Sequence, residues 1–213
     1  MNSTANLARF TAIGVSAVWA AVLFFTGLDL DWEIRRWLAY LPSAVGLLVV
    51  AFDLWLWKIP GVSKATGRPH LYGTWRATLT PNPNSRIPEG GNWQPTGALV
   101  IEQTFWTTAV RLHTDQSTSA STTAAITSAP DSKQSKNLYF TYANRARQEH
   151  NERSYPHHGT TLLHVTGLKP TRLDGTYWTD RLTSGDIAIQ RVNSKVDLSA
   201  ADALAAVRQQ DQS

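Results

Sequence analysis

The segment Thr176 to Arg181 (TYWTDR) gathers the side chains of this sequence best suited to holding a ligand. On an extended backbone successive side chains alternate faces, so Tyr177, Thr179 and Arg181 share one face while Trp178 and Asp180 take the other. A phenol, a hydroxyl and a guanidinium in a row match a phosphorylated, base-bearing molecule, because Arg clamps phosphate through two N–H donors and an aromatic ring stacks a base. The same face also fits an ordinary outer surface with Arg181 paired to a neighbouring Asp. Tyr142 and Arg145, where a strand gives way to a charged stretch, are candidates for the mouth of the same site. Arg111, between Val110 and Leu112, faces away from both, either into a polar cavity or out to solvent.

Catalytic and metal chemistry find no such support. The sequence contains no Gly-rich phosphate loop, no Gly-x-Ser-x-Gly elbow and no His-Glu-x-x-His. Of six histidines only His157 and His158 are adjacent, and strand neighbours point to opposite faces, which makes them poor joint ligands. The expectation is a binding protein, not an enzyme, with no metal and no cofactor besides its ligand. Residues 59–213 hold sixteen Lys or Arg against twelve Asp or Glu, an excess suited to an anionic lipid surface or a phosphate-bearing ligand. With no basic stripe, zinc spacing or aromatic RNA signature, DNA and RNA are not expected as partners.

The elements that must position these residues are short runs rich in Val, Ile, Thr, Tyr and Trp, bounded by Gly, Pro, Asn and Asp. They predict strands near 71–79, 97–104, 107–114, 117–127, 136–143, 159–166, 172–181 and 185–192. Eight consecutive strands with tight links predict a small antiparallel up-and-down barrel, whose interior takes side chains or one small ligand. Trp75, after Gly73, is expected to plug one barrel end, and Gly185 and Asp186 to make the last hairpin turn. Pro81 to Pro95 and Asn144 to His158 read as loops, the second highly charged. Beyond Val192, the residues Leu198, Ala201, Leu204, Ala205 and Val207 fit one weak amphipathic helix in a polar tail.

Ahead of the strands lie two apolar runs, Phe10 to Leu28 without charge and Trp37 to Trp57 with Asp53 alone, each long enough for a membrane-spanning helix. Asp29 to Arg36 leaves room only for a tight hairpin. Asp29, Asp31 and Glu33 outnumber Arg35 and Arg36 in that loop, whereas Arg9, Lys58, Lys64 and Arg68 flank the far ends, so both termini and the barrel are expected in the cytoplasm. The lack of cysteine fits a reducing compartment. A cleaved signal peptide fits poorly, since the apolar core is long and a second span follows at once. Asp53 lies five residues before Lys58, beside Trp55 and Trp57, where it is expected to stay hydrated at the interface; a role in helix association or pore lining is the alternative. The organisation expected is a transmembrane hairpin at 1–58, a linker at 59–69, a cytoplasmic β-barrel at 70–192 and a polar tail at 193–213.

Two spans, Asp53 before an aromatic span end, a Pro-bearing linker into Leu71-Tyr72-Gly73-Thr74-Trp75, and a closing TYWTDRLTSGDIAI segment at Thr176 to Ile189 together resemble the two-transmembrane β-barrel effectors of CBASS, the bacterial cyclic-oligonucleotide antiphage system. The resemblance implies that the barrel binds a cyclic dinucleotide made by an infection-activated nucleotidyltransferase. It further implies that the spans then self-associate in the inner membrane and disrupt it, killing the infected cell. Two other readings stand beside it: a membrane-tethered, lipocalin-like carrier of a small apolar ligand, and a structural assembly subunit anchored in the bilayer.

Overall fold

The computed structural model describes residues 3–25, 31–85, 94–129, 132–146 and 156–210. They divide into two compact units, residues 1–68 with 104–107, and residues 69–103 with 108–213.

The first unit is helical. Helix α1 spans Ser3–Phe25 and α2 spans Trp32–Leu54, with Pro42 inside α2. Ser16 Oγ donates to the Pro42 carbonyl at 3.2 Å, joining the two helices. Among the described residues no helix is long and apolar enough to cross a membrane. The apolar run from Phe10 outlasts α1 and ends in residues outside the description, and the first turns of α2 carry Glu33, Arg35 and Arg36. A 3-10 turn, Leu56–Lys58, leads into a short helix α3, Pro60–Thr66, where a plain linker was expected. Pro60 starts it because its fixed φ suits the first helical turn, and Gly67 ends it at φ 62, a left-handed conformation natural to glycine.

Asp53 is buried, not hydrated as expected. Residues 104–107 form a turn belonging to this unit; the Asp53 carbonyl accepts from the Phe105 N–H at 3.0 Å, and its Oδ1 accepts from the Trp106 N–H at 3.2 Å. The backbone carbonyl and the carboxylate of Asp53 thus each satisfy one turn N–H that would otherwise lack an acceptor. Phe105 packs edge-on against Phe52, ring centroids 4.8 Å apart. Burial holds the Arg68 guanidinium below its ordinary pKa, partly offset by the nearby Asp53 charge.

The second unit is a closed eight-stranded barrel in which every strand pairs with its sequence neighbours and β8 returns to β1, all antiparallel. The strands are β1 Gly73–Pro81, β2 Thr96–Gln103, β3 Thr108–His113, β4 Ser117–Ala129, β5 Ser132–Ala146, β6 His157–Thr166, β7 Arg172–Thr179 and β8 Ser184–Asn193. Closure leaves no unpaired edge. Alternation sends Leu99, Ile101, Val110, Leu138, Leu163, Leu173 and Ile189 into the interior, where each is essentially inaccessible. In β4 the register shifts between Ser121 and Thr123, which returns Ala124 and Ile126 to the core face.

One end of the barrel is plugged. Trp75 is wholly buried there, as expected, with its indole N–H donating to the Leu71 carbonyl at 2.9 Å. The Arg191 guanidinium lies 4.3 Å from the Trp75 ring and donates to the carbonyls of Tyr72 at 2.6 Å, His70 at 2.5 Å and Pro170 at 3.3 Å. Burial lowers the pKa of Arg191. Gln103 closes the same end, accepting from the Leu71 N–H and donating to the Pro69 carbonyl, both at 2.8 Å.

The tail is not a free polar segment. Helix α4, Ala200–Gln210, buries Ala203, Leu204 and Val207 against Ala98 and Val100 on the outer face of β2. Ala201 and Ala205, expected on its apolar face, are exposed. Ser199 caps it, accepting from the Asp202 N–H at 3.1 Å and donating to Asp202 Oδ2 at 2.6 Å.

Candidate functional site at the open end of the barrel

The end opposite the plug is where β1, β3, β5 and β7 finish. Among its inward-facing residues are Tyr142 and Asn144 from β5, His157 and Gly159 from β6, and Tyr177 and Thr179 from β7. The register places them in rows: Asn144 opposite His157, Tyr142 opposite Gly159, Gly159 opposite Thr179, and Thr161 opposite Tyr177. Tyr142 lies inside because Gly159 gives it room; a Cβ at 159 would fall 2.4 Å from the phenol oxygen.

Strand β7 ends at Thr179, two residues earlier than expected, and Asp180–Thr183 form the turn. Gly185 and Asp186 are therefore strand residues of β8, not the turn; Gly185 is buried and approaches the Thr80 carbonyl too closely for any side chain. Thr179 Oγ1 organises the turn, pairing with Thr183 Oγ1 at 2.6 Å and accepting from the Arg181 N–H at 3.3 Å. Leu182 adopts φ 59, a left-handed conformation costly for a branched side chain, and Arg181 lies just before it. Arg181 Nη1 donates to His157 Nδ1 at 3.3 Å. Asp180 is held against β6, its N–H donating to the His158 carbonyl and its Oδ2 accepting from the His158 N–H, both at 3.0 Å.

Electrostatics keep the two phenols protonated. Burial, with smaller contributions from Tyr177 and Asp180, pushes the Tyr142 hydroxyl up to about 12, and burial followed by Asp186 raises Tyr177. Both are O–H donors at neutral pH. Deeper in, Leu79, Leu99, Val110, Ser119, Phe140 and Ile187 are among the residues around a cavity of only about 10 Å³, room for roughly one water. A nucleotide-sized ligand does not fit that inner space as it stands, which leaves the rim and its first rows as the candidate surface.

Of the six residues singled out by sequence, Tyr142, Tyr177, Thr179 and Arg181 come together at this end. Arg145 and Arg111 do not. Arg145 belongs to β5, which runs on to Ala146 through what was read as loop, and alternation next to buried Asn144 turns it outward and exposed. Arg111 is on the outer face of β3, ion-paired with Glu102 and 3.4 Å from the Val196 carbonyl. Sequence reasoning missed Asn144, His157 and Gly159. Continuing the period-2 pattern of Val165, Leu163 and Thr161 back past the charged stretch places Gly159 and His157 inside. The parts of the two long loops at 86–93 and 147–155 lie outside the described residues. Among the described residues no group of three His, Asp or Glu gathers where a metal ion could bind.

Comparison with known proteins finds relatives of this chain. A family model described as the cyclic dinucleotide receptor domain of Cap15 matches residues 66–191, more than half of the chain and all of the barrel but the last two residues of β8. The chain is 28% identical over 182 residues to CD-NTase-associated protein 15 of Staphylococcus schleiferi, an alignment covering 82% of this chain and 92% of that protein. That likeness is longer than the barrel itself. The matched barrel, closed at one end by Arg191 and Trp75 and lined by tyrosines at the other, makes this chain a member of the Cap15 family of CBASS effectors, carrying its cyclic dinucleotide receptor domain.

Proposed function

We propose that the chain is a membrane-anchored antiphage effector whose barrel binds a cyclic dinucleotide at its open end, and whose helices then self-associate and disrupt the inner membrane. The observation that carries the binding reading is the convergence of Tyr142, Tyr177, Thr179 and Arg181 at one end of a family-typical receptor barrel. The phenols are neutral O–H donors, and Arg181 offers charge-assisted bonds to phosphate. The cavity among Leu79, Leu99, Phe140 and Ile187 is too small for the apolar cargo of a carrier.

The anchoring reading rests on the helices. Each has 23 residues, about 34 Å of helix against a hydrocarbon core of about 30 Å. Phe10, Val15, Phe24, Trp37 and Leu47 are all well over a third exposed, surface that lipid would cover. The flanking charge supports a cytoplasmic side for the barrel and both termini.

The test is calorimetry of the full chain in detergent against a panel of cyclic dinucleotides. Binding at micromolar affinity or better is expected, and Arg181→Ala should weaken it about ten- to a hundredfold through loss of a charge-assisted contact. Unchanged affinity in that variant removes Arg181 from the site; silence across the whole panel overturns the receptor reading for this chain.

A further inference from the structure

The amide of Asn144 is 6% exposed and faces the barrel interior, two residues beyond inward-facing Tyr142 on β5. Its Nδ2 donates to both β4 serines, to Ser117 Oγ at 3.0 Å and to Ser119 Oγ at 2.8 Å. Both amide hydrogens are thereby committed to one side. Because the amide is planar, Oδ1 turns away from those serines, and it has no hydrogen-bond partner among the described residues. A buried carbonyl oxygen left without a donor is costly, and a chain keeps one where something else supplies the donor. Its row-mate across the sheet is His157, which Arg181 contacts, so the open acceptor is set among the site's own residues.

We propose that Asn144 is a specificity-determining residue of the ligand site, whose Oδ1 accepts a hydrogen bond from a nucleobase N–H of the bound cyclic dinucleotide. This rests on the receptor reading above and adds to it which kind of base edge is read. An asparagine at liberty pairs with a base through both ends, accepting and donating together. Here the donor end is held by Ser117 and Ser119, so Asn144 reads donors only: an amino or imide N–H is welcomed, and a base edge offering only acceptors leaves Oδ1 unpaired.

The experiment compares cyclic di-AMP, cyclic di-GMP and cyclic di-UMP with forms whose bases carry N6,N6-dimethyladenine, N1,N2,N2-trimethylguanine or N3-methyluracil, so that no amino or imide N–H remains, titrated into the full chain and into its Asn144→Ala variant. For the unmodified ligand that wild type binds most tightly, methylation should weaken wild-type binding roughly five- to a hundredfold. In Asn144→Ala the unmodified ligand should bind more weakly than to wild type, and the methyl penalty should shrink below about threefold, since the shortened side chain leaves room and no acceptor. A merely structural asparagine would lower affinity for both forms alike and leave the penalty intact, which overturns the proposal. The wild-type arm stands alone if Asn144→Ala does not fold: methylated and unmodified ligands binding equally well also overturns it. Absence of binding by every unmodified cyclic dinucleotide, mixed-base forms included, strikes instead at the receptor reading, and this assignment falls with it.

Discussion

Tyr142 shows how one residue reports on its surroundings. Its phenol is 9% exposed, lies over the bare Cα of Gly159, and is held up to about 12 chiefly by burial. In the unfolded chain a tyrosine titrates near 10, so between about pH 10 and 12 the native state keeps a proton that the unfolded state has lost. The contribution is therefore fully present below pH 10 and is lost as pH rises through the folded value. Urea unfolding at pH 9 and pH 11.5 should show wild type losing roughly 2 kcal/mol more than Tyr142→Phe, which has no such proton. Parallel losses in the two proteins would mean that the phenol is not shielded as described. The same neutrality matters for binding, because a phenolate here would repel a phosphate and a neutral hydroxyl can donate to it.

At the scale of elements, the barrel separates a plugged end from the end proposed to bind ligand. Arg191 stitches the β8 terminus to Tyr72, His70 and Pro170 by their carbonyls and lies over Trp75. Arg191→Met keeps the aliphatic stem but leaves three carbonyls without their donor, and should cost roughly 3 kcal/mol of stability with ligand affinity of the folded protein unchanged, read by denaturant melts and calorimetry. Helix α4 contributes from outside. Ser199→Ala removes its cap and should cost roughly 1 kcal/mol, again without effect on ligand affinity. This division explains what the sequence disclosed. Strand alternation and turn residues marked all eight strands, and Gly73-Thr74-Trp75 marked the plug, because those signals are local. Arg111 faces outward because Val110 and Leu112 on the same strand face the core, and the period-2 pattern could not say which face was the core one. Arg145 and Asn144 were assigned to a loop because the polarity of NRARQEH masks a strand whose inward residue, Asn144, is itself polar. Arg181 was placed by extending β7 two residues too far, yet the turn carries it to His157. Asp53 was unreadable, since its partners Phe105 and Trp106 lie some fifty residues away in sequence and only the fold brings their N–H groups to it.

For the whole molecule, a hairpin of two helices cannot enclose a pore, so the membrane damage proposed above would require several copies to meet through their helices. The surface for that exists in α2, where Ser43 and Ala44 are exposed and a side chain added at Gly46 would meet nothing within 4 Å, leaving small residues open to close helix contact. A ligand drives assembly only if it binds the assembled form more tightly than the single copy, since equal affinity for both shifts nothing. Moving a population from 1% to 99% assembled needs a difference of roughly 10⁴-fold in affinity, about 5.5 kcal/mol, so even Arg181→Ala, costing roughly 1.5 to 3 kcal/mol, should blunt the response sharply. In cells producing the cyclic dinucleotide, crosslinked oligomer and entry of a membrane-impermeant dye should rise together with the wild-type chain and stay low with Arg181→Ala. Deleting residues 1–58 should abolish dye entry and growth arrest while the remaining chain still binds ligand. Growth arrest that persists without those residues would show that the bilayer is not the target and that the barrel acts on something else.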